Sequence, residues 1–157
     1  MKQTVYIETS IVSYLTARPS NDLRAMANQT TTNEWWESRK PKFEVYISEF
    51  VVAEASQGHA EAAERRMAVI ADLPELEVTE AVRKLGKHLV LHGPLPVGAE
   101  IDAYHIAVAA VSGMDYLLTW KCKHIANAAM RPKVEAICRD HGFEPPTICT
   151  PQELMEG

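Results

Sequence analysis

The chain has 157 residues, 46% of them hydrophobic, and a formal net charge of −5 from 16 basic and 21 acidic side chains. That is enough apolar material for one domain with a true core, and it excludes a disordered or disulfide-stapled scaffold. The acidic balance excludes a surface that coats nucleic acid generally, but not an enzyme that grips a phosphate backbone locally and keeps carboxylates for a metal.

No apolar run approaches the ~20 residues of a membrane helix. The opening MKQTVYIETS lacks an apolar core of signal-peptide length, so a cytoplasmic protein with no membrane partner is expected. Cys122, Cys138 and Cys149 are odd in number and widely spaced, which fits reduced thiols better than a disulfide framework or a zinc site.

Thr4-Val5-Tyr6-Ile7 is a β-prone run ending in Glu8, Thr9 and Ser10, with a helical segment following through Leu15 until Pro19 interrupts it. Glu8 reads either as a functional acid at a strand end or as a surface residue beside a hydroxyl that caps the next helix. Ser20 to Lys40 reads as a polar, solvated helix carrying Trp35 and Trp36, and the basic turn Arg39-Lys40-Pro41-Lys42 ends it. Phe43 to Ile47 alternates apolar and polar residues as a second strand. Ser48 is positioned to cap a helix in which Glu54 shares a stripe with Phe50 and Val51. A carboxylate on such a stripe is costly unless paired or bound to metal.

Ala60 to Ala71 is an alanine-rich amphipathic helix, Leu76-Glu77-Val78 a short strand, and Thr79 the cap of a helix running to about His92. His88 and His92 have the i,i+4 spacing of a metal pair, but no third ligand accompanies them in the sequence, and a structural role is the simpler reading. The stiff loop Gly93 to Gly98 delivers the chain into a central helix in the first half of the stretch from Glu100 to Asn127, apolar nearly all round between Ile101 and Val111 and therefore interior. Asp102, His105 and Ser112 form its one polar stripe, either a wet edge or a face turned to a cleft. Gly113 stops the helix, and Tyr116 to Thr119 is a fourth strand followed by Trp120 and Lys121. Beyond Lys123 and His124, Pro132 opens a helix that ends near Gly142, Thr147 to Cys149 is a last strand, and Thr150-Pro151-Gln152-Glu153 is a capping-box helix start.

Five strand candidates alternating with helices predict a single α/β domain over 1–157, a parallel sheet covered on both faces with a site at the strands' carboxyl ends. Three acids stand at corresponding places: Glu8 after the first strand, Glu54 after the second, Asp102 on the helix before the fourth. Carboxylates gathered at one edge repel one another unless a cation sits among them. Oxygen donors without His or Cys suit Mg²⁺ or Mn²⁺, which activates water and neutralises a phosphoryl oxygen.

The segments YIETS, SEFVVAE, DAYHIA and LLTWKCKHIAN, in this order and spacing, resemble the successive motifs of PIN domains, and most of all the VapC-like toxins of bacterial toxin–antitoxin systems. The likeness spans essentially the whole chain. It implies a three-layer α/β/α fold with a five-stranded parallel sheet and a metal-dependent endoribonuclease that cuts RNA with metal-activated water. It further implies a homodimer held inactive by an antitoxin protein. By the same resemblance Glu8, Glu54 and Asp102 are the catalytic, metal-binding acids, and Ser10 and Thr119 are the small hydroxyl residues beside them. Two departures stand out. The first acid is Glu8 where the family usually has Asp, and Lys121 occupies a position where it often has Asp or Asn. A protonated lysine cannot ligate Mg²⁺. It can pair with the acids or contact an RNA phosphate, which leaves one metal rather than two as the expectation. The alternative is a PIN-like binding or regulatory module in which Lys121 neutralises the acids and no metal is required. Trp35, Trp36 and Trp120 offer faces for base stacking, though core roles suit all three. His105 and His124 are candidates for proton transfer or for buried hydrogen-bonded histidines.

Overall fold

The structure is a computed structural model that describes residues 1–121, 125 and 127–155. Cys122, Lys123 and His124 lie outside the described residues. Five parallel strands form one sheet in the order β3-β2-β1-β4-β5. They are β1 (Gln3–Ile7), β2 (Phe43–Ser48), β3 (Glu75–Leu76), β4 (Tyr116–Leu118) and β5 (Thr147–Cys149). Among the described residues, seven α-helices connect and flank them: α1 (Thr9–Thr16), α2 (Leu23–Glu34), α3 (Glu49–Ala55), α4 (Ala60–Ile70), α5 (Glu80–His92), α6 (Glu100–Val111) and α7 (Arg131–Asp140). This is the three-layer α/β/α arrangement with a five-stranded parallel sheet that the strand–helix alternation predicts.

β1 is central, and Val5, Tyr6 and Ile7 are fully buried, as a strand covered on both faces requires. From β1 the chain moves outward one way through β2 and β3, then crosses back to build β4 and β5 on the other side. The strand order reverses between β1 and β4, and such a switch point opens a crevice at the carboxyl ends of the strands. Two ladder bonds run past the strand ends there, Glu8 N to Leu118 O and Thr119 N to Cys149 O, both 3.0 Å.

α6 is interior, with Ala103, Ile106, Ala107, Val108 and Ala109 fully buried. It ends at Val111, and Gly113 takes φ +71°, a left-handed turn that favours glycine. Ser48 caps α3 by accepting from Phe50 N, and Thr79 caps α5 by accepting from Val82 N.

Three local expectations change. The polar segment from Ser20 is not solvated all round: Gln29, Thr32 and Trp35 are buried, and Trp35 stacks on Phe43 with centroids 5.9 Å apart. α2 also passes into a wide turn at Trp35–Arg39 before a 3₁₀ turn at Lys40–Lys42. The third strand falls at Glu75–Leu76, earlier than Leu76–Val78. At the carboxyl end the capping box is made, Thr150 N to Glu153 Oε1 at 3.0 Å and Glu153 N to Thr150 Oγ1 at 3.3 Å. Among the described residues it stays a turn.

α5 and α6 are held close by a glycine. A Cβ built on buried Gly86 would run into Cδ1 and Cε1 of the Tyr104 ring. Helix propensity favours Gly86→Ala by about 1 kcal/mol, whereas overpacking costs about 1–3 kcal/mol. The clash dominates because the ring must shift as a unit. Gly86→Ala should therefore lower stability by about 1–2 kcal/mol in urea melts, and an unchanged or raised midpoint would show that α5 and α6 tolerate separation.

Candidate functional site

Glu8 is the residue between β1 and α1, and the ladder bond from its N–H to Leu118 fixes it beside the end of β4. Its side chain is completely buried. Ser10 and Thr119 donate their hydroxyls to the same oxygen, Oε1, at 2.5 and 2.7 Å. Ser10 is not a helix cap. Its Oγ accepts from Trp120 N at 2.9 Å, and Thr119 Oγ1 accepts from Lys121 N at 3.0 Å. The two hydroxyls thus clamp the carboxylate and shape the turn after β4 together. The other carboxylate oxygen, Oε2, is buried and has no hydrogen-bond donor among the described residues, and Lys121 Nζ stands 3.9 Å from it.

Glu54, near the end of α3, is about a quarter exposed. Its Oε1 accepts from Thr9 Oγ1 and from His105 Nε2, both at 2.6 Å. Burial pushes its carboxyl up, but the His105 hydrogen bond and charge, with Thr9 and Lys121, outweigh this and hold it below the usual range. His105 is fully buried and belongs to a longer chain: its Nδ1 lies 2.7 Å from Tyr6 Oη, which lies 2.7 Å from Ser48 Oγ. Burial keeps the Tyr6 hydroxyl a neutral phenol far above its ordinary pKa.

Asp102, in the first turn of α6, is 1% exposed. Its Oδ1 accepts from Lys121 Nζ at 2.8 Å. Partial burial alone would lower the Lys121 pKa, yet the Asp102 hydrogen bond and the charges of Glu8, Asp102 and Glu54 raise it, so the ammonium persists at neutral pH. The polar stripe of α6 is therefore no wet edge. Asp102 and His105 both turn into the sheet's carboxyl edge.

All six residues singled out from the sequence meet in one place. Glu8, Ser10, Glu54 and Lys121 line an open groove of about 400 Å³ with Tyr14 and Arg66. Thr119 and Asp102 lie directly behind, bonded to Glu8 and Lys121. Among the described residues, one set of three offers donor atoms that all lie within 4.8 Å of one another: Glu8, Glu54 and His105. Asp102 stands outside this set and is tied to it by Lys121. Sequence reasoning missed Tyr6, Ser48 as more than a cap, Thr9 and Arg66. Arg66 crosses from α4 to donate to the Ala55 and Gln57 carbonyls at 3.0 and 2.5 Å, holding the end of α3 that carries Glu54. None of these carries a local signal, since each depends on what faces it across the fold.

Elsewhere the structure supplies a neighbour that the sequence could not. His141, at the end of α7, stands against His88, and the His88–His92 and His88–His141 ring centroids are each 4.6 Å apart. Cys138 and Cys149 are free and buried, which raises their thiols to about 11 and about 12 and makes them inert.

No family model matches the chain, and no curated protein matches it by sequence. Solved structures do match. The VapC20 toxin of Mycobacterium tuberculosis, described as cleaving the sarcin–ricin loop, superposes with a TM-score of 0.62 at 18% identity, covering 80% of this chain and 95% of that one. VapBC2 of Rickettsia felis, bound to a DNA fragment from its promoter, gives 0.57 at 13% identity over 94% of this chain and 98% of that one. The parallel sheet with acids gathered at its switch point is a PIN fold. Within that class, the chain has the fold of the VapC toxins.

Lys121 pairs with Asp102 at 2.8 Å and stands 3.9 Å from Glu8, so its removal takes a counter-charge from both buried acids. Breaking a buried pair is costly, and partial exposure of the lysine reduces the effect. Lys121→Met should destabilise the fold by about 1–2 kcal/mol at pH 7 in urea melts. Because the folded pKa of Lys121 is raised, this contribution is fully present below the unfolded value of about 10.4 and fades as pH rises through the folded value. A wild-type-like midpoint at pH 7 would mean that the acids are compensated without it.

Proposed function

We propose that the chain is an endoribonuclease of toxin type that depends on a divalent cation, Mg²⁺ or Mn²⁺, and is restrained by a protein antitoxin in the cytoplasm. One observation carries this reading. Glu8 is a fully buried carboxylate whose Oε2 meets no hydrogen-bond donor at the sheet's switch point, beside two further acids. An unmatched buried carboxylate oxygen is expensive, and a cation is what such an oxygen fits. The name of VapC20 supports RNA as the substrate class, and VapBC2 supports an antitoxin partner.

In this reading Glu8, Glu54 and Asp102 supply the negative field that holds the cation. Ser10 and Thr119 fix one oxygen of Glu8 so that the other is aimed, and Arg66 holds the helix end that carries Glu54. Lys121 and Arg66 border the groove and suit phosphate oxygens of an RNA strand. A bound divalent cation supplies charge neutralisation at the phosphoryl group and lowers the pKa of a water for attack. Leu23, Met26, Leu91 and Val97 are large apolar side chains exposed to solvent. No helix among the described residues is long and apolar enough to cross a membrane.

A second reading has its own observation. The 2.8 Å contact of Lys121 with Asp102 gives one acid a built-in counter-ion, which suits a binding module that needs no metal. One experiment separates the two. The purified chain is incubated with a mixed RNA pool in Mn²⁺ or in EDTA, alongside Asp102→Asn. The enzyme reading expects cleavage in Mn²⁺ alone and a loss of at least about 100-fold in the variant. Activity that persists in EDTA or in Asp102→Asn sinks the metal-site mechanism, and no cleavage together with no metal binding by calorimetry favours the module.

A further inference from the structure

We propose that His105 is a direct cation ligand, so that the ion is held by Glu8, Glu54 and His105 Nε2 and the site selects a transition ion such as Mn²⁺ or Co²⁺ over Mg²⁺. This rests on the reading that the groove holds a divalent cation, and it specifies which donors and which ion. The family resemblance names carboxylates alone. The geometry of this chain differs. Asp102 is engaged by Lys121 at 2.8 Å, whereas donor atoms of Glu8, Glu54 and His105 converge within 4.8 Å. An ion with ligands about 2.1 Å away spans donors up to about 4.2 Å apart, so a few tenths of an ångström of closure completes the set.

Two further features point the same way. The unmatched Oε2 belongs to Glu8, a member of this set, and Glu8 is fully buried. His105 is also built as metal-binding histidines are: its Nε2 faces the carboxylates, and its Nδ1 is held at 2.7 Å by Tyr6, itself held at 2.7 Å by Ser48. A ligating imidazole regularly has its second nitrogen fixed by such a partner, which sets the ring's orientation and tautomer. An ion held by both residues would replace the hydrogen bond between His105 Nε2 and Glu54 Oε1, now 2.6 Å long. In holding an ion His105 would release its Nε2 proton to solvent and ligate through Nε2 as neutral imidazole, its Nδ1 proton directed to Tyr6 Oη and Tyr6 donating to Ser48.

Donor chemistry sets the preference. Mg²⁺ seeks all-oxygen octahedral surroundings and keeps its waters, whereas imidazole suits first-row transition ions. The test uses the full chain. Calorimetry with Mn²⁺, Co²⁺ and Mg²⁺ is compared for wild type, His105→Gln and Tyr6→Phe, and the Mn²⁺ form is examined by pulsed electron paramagnetic resonance for a directly bonded ¹⁴N. The expected results are at least tenfold tighter binding of Mn²⁺ and Co²⁺ than of Mg²⁺ and an imidazole ¹⁴N coupling in wild type. His105→Gln should lose both while keeping Mg²⁺ affinity, and Tyr6→Phe should weaken Mn²⁺ about tenfold with the coupling retained. If His105→Gln does not fold, the wild-type ¹⁴N signal decides. Mn²⁺ binding with no ¹⁴N coupling overturns the His105 assignment while leaving the cation-dependent nuclease intact. No binding of any ion removes both.

Discussion

Three carboxylates from three separate elements are brought to one edge of a parallel sheet, and two of them, Glu8 and Asp102, are almost wholly buried. Like charges in a low-dielectric setting are tolerated only with counter-charge and directed hydrogen bonds. The surroundings supply both. Lys121 bonds to Asp102 and faces Glu8, His105 bonds to Glu54, and the hydroxyls of Ser10, Thr119 and Thr9 satisfy the oxygens that face them. Glu8 Oε2 is buried and has no hydrogen-bond donor among the described residues, and the proposed cation site rests on it.

The sheet order makes this convergence possible. β1 is flanked by β2 and β4, so the residues that follow these three strands share one rim. Glu8 follows β1, α3 with Glu54 follows β2, and Thr119 with Lys121 follows β4. α6 then brings Asp102 and His105 to the same rim from the helix that precedes β4. Its apolar circumference is what lets it lie inside the molecule and still turn one polar stripe toward the crevice.

Lys121 gives the site its particular character. Where the family resemblance leads one to expect an acid or amide, the chain puts a fixed positive charge within 2.8 Å of Asp102. In the proposed site a cation would find Asp102 already engaged and meet Glu8, Glu54 and the imidazole of His105 instead. In the proposed function the same lysine, an ammonium at the rim of the groove, suits a phosphate of the substrate. Arg66, locked onto the carbonyls at the end of α3, adds a second positive group to the groove wall while keeping Glu54 in register.

Strand–helix alternation, the apolar helix around Ala107, the caps at Ser48 and Thr79 and the three acids at matching offsets were legible in the sequence, because each depends on periodicity or on neighbours within a turn. So was the oddity of Lys121. The tertiary structure alone decided how those acids divide: which one the lysine takes, which oxygen of Glu8 stays unmatched, and that His105 joins the set. It also revealed the buried face of α2, and the His141 that lies beside His88. These depend on side chains far apart in the chain meeting across a sheet, as Tyr6 meets His105 and Thr119 meets Glu8, and no local pattern encodes a contact whose partner lies some hundred residues away.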